Sequence, residues 1–214
     1  MPLYYLMILA LIQGITEFLP ISSSGHLILL PSLTGLPDQG PAIDVAAHVG
    51  TLVAVVIYFW RDVKLMFTGL PQLLRGRVAC EGSKLGFLLI CATLPVTLFG
   101  LTLKLTGLDD QLRNIAVIGW TMLLFGLLLY WADQRGETLK QGADWTLKDA
   151  IWMGLAQAIA LIPGTSRSGI TITAGRWLGY DRHHAARLSM LMSIPTILAS
   201  GALLGGEVAL TANA

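Results

Sequence analysis

Four stretches of this chain are long, apolar and free of formal charge, and they restrict what it can fold into. Leu85 to Leu103 is uncharged until Lys104, and Ile115 to Trp131 until Asp133. Val45 to Trp60 ends at Arg61, and Leu188 to Leu204 is the last. A helix needs roughly 20 mainly apolar residues to cross a bilayer, so these stretches predict membrane spans. Composition agrees. The chain is 54% hydrophobic and 13% charged, against about 25% charged in a typical soluble domain, and its mean hydropathy is +0.68. The expected fold class is all-α, a polytopic membrane helix bundle with the bilayer as partner. A net charge of +1 gives no reason to expect nucleic acid. The N-terminus lacks a basic segment, so no signal peptide is expected. Cys80 falls in a loop and Cys91 in a span, a spacing that suits neither a metal site nor a disulfide framework.

Loop charge suggests an orientation. Arg61, Lys64, Arg75, Arg77 and Lys84 lie in one expected loop, and Arg135, Lys140 and Lys148 in another. The loop from Lys104 to Arg113 has only those two basic residues, beside Asp109 and Asp110. The positive-inside rule places 61–84 and 133–148 in the cytoplasm and 104–113 outside.

Two polar clusters interrupt this apolar text. The first runs from Gln13 through Glu17, Pro20, Ser22, Ser23, Ser24 and Gly25 to His26; the second is Pro163-Gly164-Thr165-Ser166-Arg167-Ser168-Gly169. Ionisable groups among apolar segments mark a functional site by default. Gln13 to Gly25 and Gln157 to Gly169 share a pattern of Gln, an apolar stretch, Pro, hydroxyl residues and Gly, with a one-residue gap. The apolar stretches beside them, Tyr4 to Ile15 and Ala150 to Ile162, are too short to span. Pro20 and Pro163 interrupt helices. Short, Pro/Gly-broken segments in matching halves predict broken or re-entrant hairpins lining a midplane site. Three spans between them make the repeat inverted. The expectation is one integral-membrane domain, 1–214, with repeats of about 1–103 and about 114–214. The competing expectation is two ordinary kinked helices.

The residue types point to phosphate chemistry. Gln13 and Glu17, at i and i+4, share a helix face. A carboxylate with an amide oxygen suits a hard divalent cation, Mg²⁺ or Ca²⁺, held together with substrate phosphates. Glu17 alone could act as general base. Ser22, Ser23, Ser24 and Gly25 offer hydroxyls and amides for an anion. His26 can be acid, base or nucleophile. Arg167 gives bidentate phosphate recognition, with Thr165, Ser166 and Ser168 as donors around it. Together these form a phosphoryl-transfer site. The plainer alternatives are a structural His26 and a structural Arg167–Glu17 pair, which would itself bring the clusters together.

Gln13-x-x-x-Glu17 followed by Phe18-Leu19-Pro20-Ile21-Ser22-Ser23-Ser24-Gly25-His26 resembles the first signature of the undecaprenyl-diphosphate phosphatases, the bacitracin-resistance family. Pro163 to Gly169 resembles the second. Asp44 through Phe59-Trp60-Arg61, Gly179-Tyr180-Asp181-Arg182, Ala185-Ala186-Arg187 and Ser193-Ile194-Pro195 also fit, so the resemblance runs from residue 1 to about 200. It implies a multi-pass enzyme of the bacterial inner membrane, with a homodimer as one assembly to consider. The enzyme would remove the terminal phosphate of a polyprenyl diphosphate and so recycle the peptidoglycan carrier. By the resemblance, Glu17, Ser23, His26 and Arg167 are catalytic and Ser166 touches phosphate, with the nucleophile open between serine, histidine and water. The chain ends after one span beyond the second signature, where relatives continue, which is compatible with a fragment, a truncated form or a short natural variant. A transporter or lipid flippase is the rival from another class, since inverted repeats with broken helices also build transporters. Acid-phosphatase-like lipid phosphatases want a histidine soon after Ser-Arg, and Ser168 to Thr173 contains none.

Overall fold

The structure, a computed structural model, describes residues 2–108, 112 and 114–212. Among them the regular elements are helical: α1 (Leu3–Thr16), α2 (Ser23–Thr34), α3 (Gly40–Tyr58), α4 (Trp60–Leu74), α5 (Glu81–Thr106), α6 (Ile115–Arg135), α7 (Leu147–Ile159), α8 (Arg167–Trp177) and α9 (Arg182–Ala212). A single 3₁₀ turn, Gly142–Asp144, and a parallel bridge between Lys140 and Tyr180 lie in the loops. Side chains set the helix starts. Asn114 accepts from the Ala116 amide and Thr146 from the Asp149 amide, satisfying donors that a helix N-terminus leaves free.

Among the described residues, three helices are long and apolar enough to cross a membrane: Glu81–Thr106, Ile115–Arg135 and Arg182–Leu203. A fourth span is added if Ala42–Tyr58 and Trp60–Leu74, bent by 87°, count as one. Exposure is inverted relative to a soluble protein. Leu98 is 63% and Trp120 64% exposed, while Gln13, Gln157 and Ser193 are fully buried. Such an apolar exterior suits lipid contact.

The segment from Arg61 to Lys84, expected as a loop, is helical as far as Leu74. Buried Val63 and Gly69, with half-buried Met66 midway between them, follow one another every three residues while Arg61 and Lys64 stay exposed. That spacing is helical and was masked by the charges. A Cβ on Gly69 would lie 2.2 Å from the Ser83 amide nitrogen, and one on Gly154 would lie 2.3 Å from the Ala92 carbonyl oxygen. Glycine thus lets α4 and α7 press backbone to backbone onto α5, the small-residue packing that membrane helices favour. The main core lies among α3, α5, α7 and α9, with Leu52, Leu88, Ala92, Met153 and Leu191 buried.

The two lysine- and arginine-rich segments meet at one end of the bundle, as their shared charge suggests. Lys84 Nζ donates to the Ala143 carbonyl at 3.4 Å. Arg187 pairs with Asp62, and Arg176 and Arg182 both pair with Asp133. The Tyr180 hydroxyl donates to Asp149 Oδ2 at 2.8 Å, and burial followed by that carboxylate pushes the phenol well above its ordinary range. In the loop expected on the opposite side, Asp109, Asp110 and Arg113 lie outside the described residues.

Candidate active site

Each polar cluster occupies a break between two short helices. α1 ends at Thr16, and the chain turns through Pro20 before Ser22 caps α2. α7 ends at Ile159, and the chain turns through Pro163 before Ser166 caps α8. Gly164, at φ 90°, lies so close to α6 that a Cβ would sit 2.1 Å from Thr121 Oγ1. Thr121 also donates to the Pro163 carbonyl at 2.7 Å, pinning this turn.

The two breaks match atom for atom at their caps. Ser22 Oγ accepts from the Gly25 amide and Ser166 Oγ from the Gly169 amide, each at 3.1 Å. Ser22 and Ser24 hydroxyls lie 3.2 Å apart, and those of Ser166 and Ser168 lie 3.1 Å apart. Gln13 and Gln157 are both fully buried. The interval from Gln to capping Ser to Gly is the same in both clusters, so the one-residue gap displaces only the prolines.

The clusters meet at Glu17. Arg167 Nη2 donates to Glu17 Oε1 at 2.6 Å across 150 residues of sequence. Ser168 Oγ donates to the Leu19 carbonyl at 2.8 Å, docking α8 on the first turn. The other carboxylate oxygen, Oε2, accepts from Ser23 Oγ at 2.7 Å and from Gln13 Nε2 at 3.0 Å, and His48 Nε2 lies 3.4 Å away. Glu17 is 5% exposed, so its charge depends on these partners. Arg167 Nη1 also reaches the Ser189 carbonyl on α9 at 3.4 Å.

A cavity of about 200 Å³ opens beside this constellation. Its polar wall includes Glu17, Ser23, His48, Gln157, Thr165 and Arg167, and Val96, Leu161 and Ile197 form part of the apolar wall. Ser22 and Ser24 bring the N-terminus of α2 to it, and Ser166 and Ser168 that of α8. Two helix N-termini with an arginine favour an anion. Both amide atoms of Gln157 and the Thr165 hydroxyl are buried there with no partner among the described residues. Buried polar atoms are normally satisfied, so these are open donors and acceptors on the cavity wall.

The expected site residues divide accordingly. Glu17, Ser22, Ser23, Ser24, Thr165, Ser166, Arg167 and Ser168 line the cavity together. Gln13 stands behind Glu17. Gly25 packs against Ser22 and the Ile118 side chain. His26 is not on the cavity wall; its Nδ1 lies 2.6 Å from the Ser22 carbonyl. Sequence reasoning missed His48, although an imidazole inside an otherwise uncharged span is the signal that marked the other polar residues. Thr196 and Ser200 also line the cavity and, as single hydroxyls in a helix, gave no signal.

Fold and site define a class: a polytopic helical membrane protein whose buried carboxylate, arginine and serine converge on a polar cavity. Residues 6–213 match the family described as Bacitracin resistance protein BacA, and the chain belongs to that family. The chain is 69% identical over 214 residues to the undecaprenyl-diphosphatase of Jannaschia sp. (strain CCS1), covering 100% of this chain and 80% of the relative. It is 64% identical over 214 residues to the undecaprenyl-diphosphatase of Ruegeria pomeroyi, with the same coverage. It is 52% identical to that of Teredinibacter turnerae, over 100% of this chain and 81% of the relative.

Proposed function

We propose that this chain hydrolyses undecaprenyl diphosphate to undecaprenyl phosphate and inorganic phosphate, recycling the lipid carrier of cell-wall synthesis. The observation that carries the reading is Glu17, which holds Ser23 on one oxygen and Arg167 on the other beside the cavity. Relatives at 52% to 69% identity carry a diphosphatase name, so the transporter or flippase alternative is not favoured.

In this proposal the diphosphate enters with its terminal phosphoryl group between the N-termini of α2 and α8. Arg167 turns its remaining guanidinium N–H groups to the phosphate oxygens, and the Gln157 amide and Thr165 hydroxyl take up further oxygens. The Ser23 hydroxyl already donates to Glu17 Oε2, the arrangement of a nucleophile with its base. Ser23 Oγ attacks the terminal phosphorus while its proton passes to Glu17. The bond from phosphorus to the bridging oxygen breaks, and its electrons leave with undecaprenyl phosphate. Water then attacks the phosphoserine, releasing inorganic phosphate and restoring the hydroxyl. Ser23 is preferred over His26 as nucleophile because His26 lies off the cavity wall.

A divalent cation, Mg²⁺ or Ca²⁺, is part of the proposal. Gln13 Oε1 is buried without a partner among the described residues, and the same amide abuts Glu17 Oε2. A carboxylate with an unsatisfied amide oxygen fits such an ion. Bound there, it would offset charge on the diphosphate.

The matching caps and equal Gln–Ser–Gly intervals support two repeats of about 1–103 and 114–214 within one domain. They also support reading the helix breaks as re-entrant hairpins of opposite entry. An inner-membrane location and a homodimer complete the proposal; the mass of the detergent-solubilised protein tests the latter.

The direct test is phosphate release from a C15 or C55 diphosphate in detergent, where transport cannot occur. Release that exceeds turnover of soluble inorganic diphosphate is expected. Equal turnover of the two would overturn the lipid specificity.

A further inference from the structure

We infer that a crevice between the two helix breaks and α6 seats the first isoprene unit of the substrate, and that Gly126 keeps this crevice open. The inference rests on the lipid diphosphatase reading above and adds the place where the prenyl chain leaves the site.

The first support is continuity. A second cavity, of about 100 Å³, adjoins the first, and Ile21, Ser22 and Ser166 line both. Ser22 and Ser166 are the caps of α2 and α8. Beyond these hydroxyls the wall turns apolar, with Pro20, Met122, Phe125 and Ile170. A prenyl diphosphate has the same order, a charged head followed at once by hydrocarbon. The size also agrees. A cavity of about 150 Å³ holds benzene, with its six carbons, so the crevice has room for roughly one isoprene unit.

The second support is the face that α6 turns to the breaks. Ile118 packs on Gly25, and Thr121 donates to the Pro163 carbonyl. Ile118, Thr121, Met122 and Phe125 fall at i, i+3, i+4 and i+7, which is one helical stripe. Gly126, at i+8, continues that stripe, yet a Cβ placed on it would meet nothing within 4 Å. The stripe that covers both breaks therefore lacks a side chain at one point. Around that point α6 faces outward, with Leu123, Leu124 and Leu127 exposed. Pro20, Ile21 and Gly126 are exposed at the mouth. The crevice thus leads from the two capping serines to the apolar exterior, where the rest of a long chain can lie in lipid.

A larger apolar cavity, of about 470 Å³, lies between α3 and α9, with Ala54, Val55, Phe59 and Met190 in its wall. It shares no lining residue with the site cavity. Arg187, paired with Asp62 at the lysine- and arginine-rich end, also lines it. That cavity serves as the control.

The test uses purified full-length protein in detergent and a C15 diphosphate carrying a diazirine in its first isoprene unit. Photolysis followed by peptide mass spectrometry should place the adduct within 122–126 or on Ile21 or Ile170, and unlabelled C15 diphosphate should suppress it. Adducts confined to 54–59 or 183–190, or adducts that competitor does not suppress, overturn the inference. Kinetics give a second reading. Gly126→Phe, confirmed monodisperse, should raise KM for C15 diphosphate about tenfold, with Gly126→Ala near wild type. Ala54→Phe, which fills the larger cavity, should leave KM unchanged. An unaltered KM in Gly126→Phe, or the rise appearing in Ala54→Phe instead, overturns the inference and leaves hydrolysis untouched. Wild-type protein that releases no phosphate from C15 diphosphate overturns the diphosphatase reading itself.

Discussion

Replacing Arg167 by lysine separates a catalytic arginine from a structural one. Arg167 Nη2 holds Glu17 Oε1 at 2.6 Å and Nη1 reaches the Ser189 carbonyl at 3.4 Å. A lysine ammonium is a single charged point and can keep the ion pair with Glu17. It cannot also present the planar fork that grips a phosphate. The fold should therefore survive Arg167→Lys while the transition state loses a charged donor. One such contact is worth about 10²–10³ in rate, or about 2.7–4 kcal/mol. Arg167→Ala is different. It strands a carboxylate that is 5% exposed, and breaking a buried pair costs about 3–5 kcal/mol, so folded yield should fall with activity. The assay is phosphate release from a C15 diphosphate, normalised to monodisperse protein. A well-folded Arg167→Lys protein with near-normal turnover would refute the phosphate role and leave Arg167 as the pin between the two clusters.

Ser23→Ala should remove turnover by about 10³ or more, since it deletes the proposed nucleophile, whereas Ser22→Ala should lower thermal stability by about 1 kcal/mol through loss of the α2 cap; a kinetic assay beside a melting curve separates them. Glu17→Gln should abolish most activity, with Gln13→Ala milder, and wild-type rates in Glu17→Gln would remove both the base and the cation role. Gly154→Ala should destabilise by about 1–3 kcal/mol, because the new methyl meets the Ala92 carbonyl at 2.3 Å; an unchanged melting temperature in detergent would refute the close α5–α7 contact. A chelator should slow phosphate release, with recovery on adding Mg²⁺ or Ca²⁺, and indifference to chelation would contradict the cation.

Much of this architecture was legible in the chain because lipid imposes a simple grammar. Uncharged runs such as Leu85 to Leu103 can be satisfied only as helices among apolar surroundings, so α5, α6 and α9 could be read directly. The breaks at Pro20 and Pro163 were legible too, because proline and glycine act locally on the backbone. So was the list of polar residues, since polar groups are costly at that depth. The pairing of these residues was not legible. Glu17 and Arg167 are 150 positions apart, and their contact depends on Ser168 docking α8 onto Leu19. Arg61 to Leu74 carries the charge density of a loop, and packing through Gly69 onto Ser83 seats it as a helix against α5. His48 shows the same limit from the other side. Its sequence neighbours are apolar, and nothing within α3 says that its ring faces Glu17. Local chemistry determined which segments are helical and which residues are expensive to bury. Tertiary packing decided which of those residues share one carboxylate, because that depends on how separate helices meet.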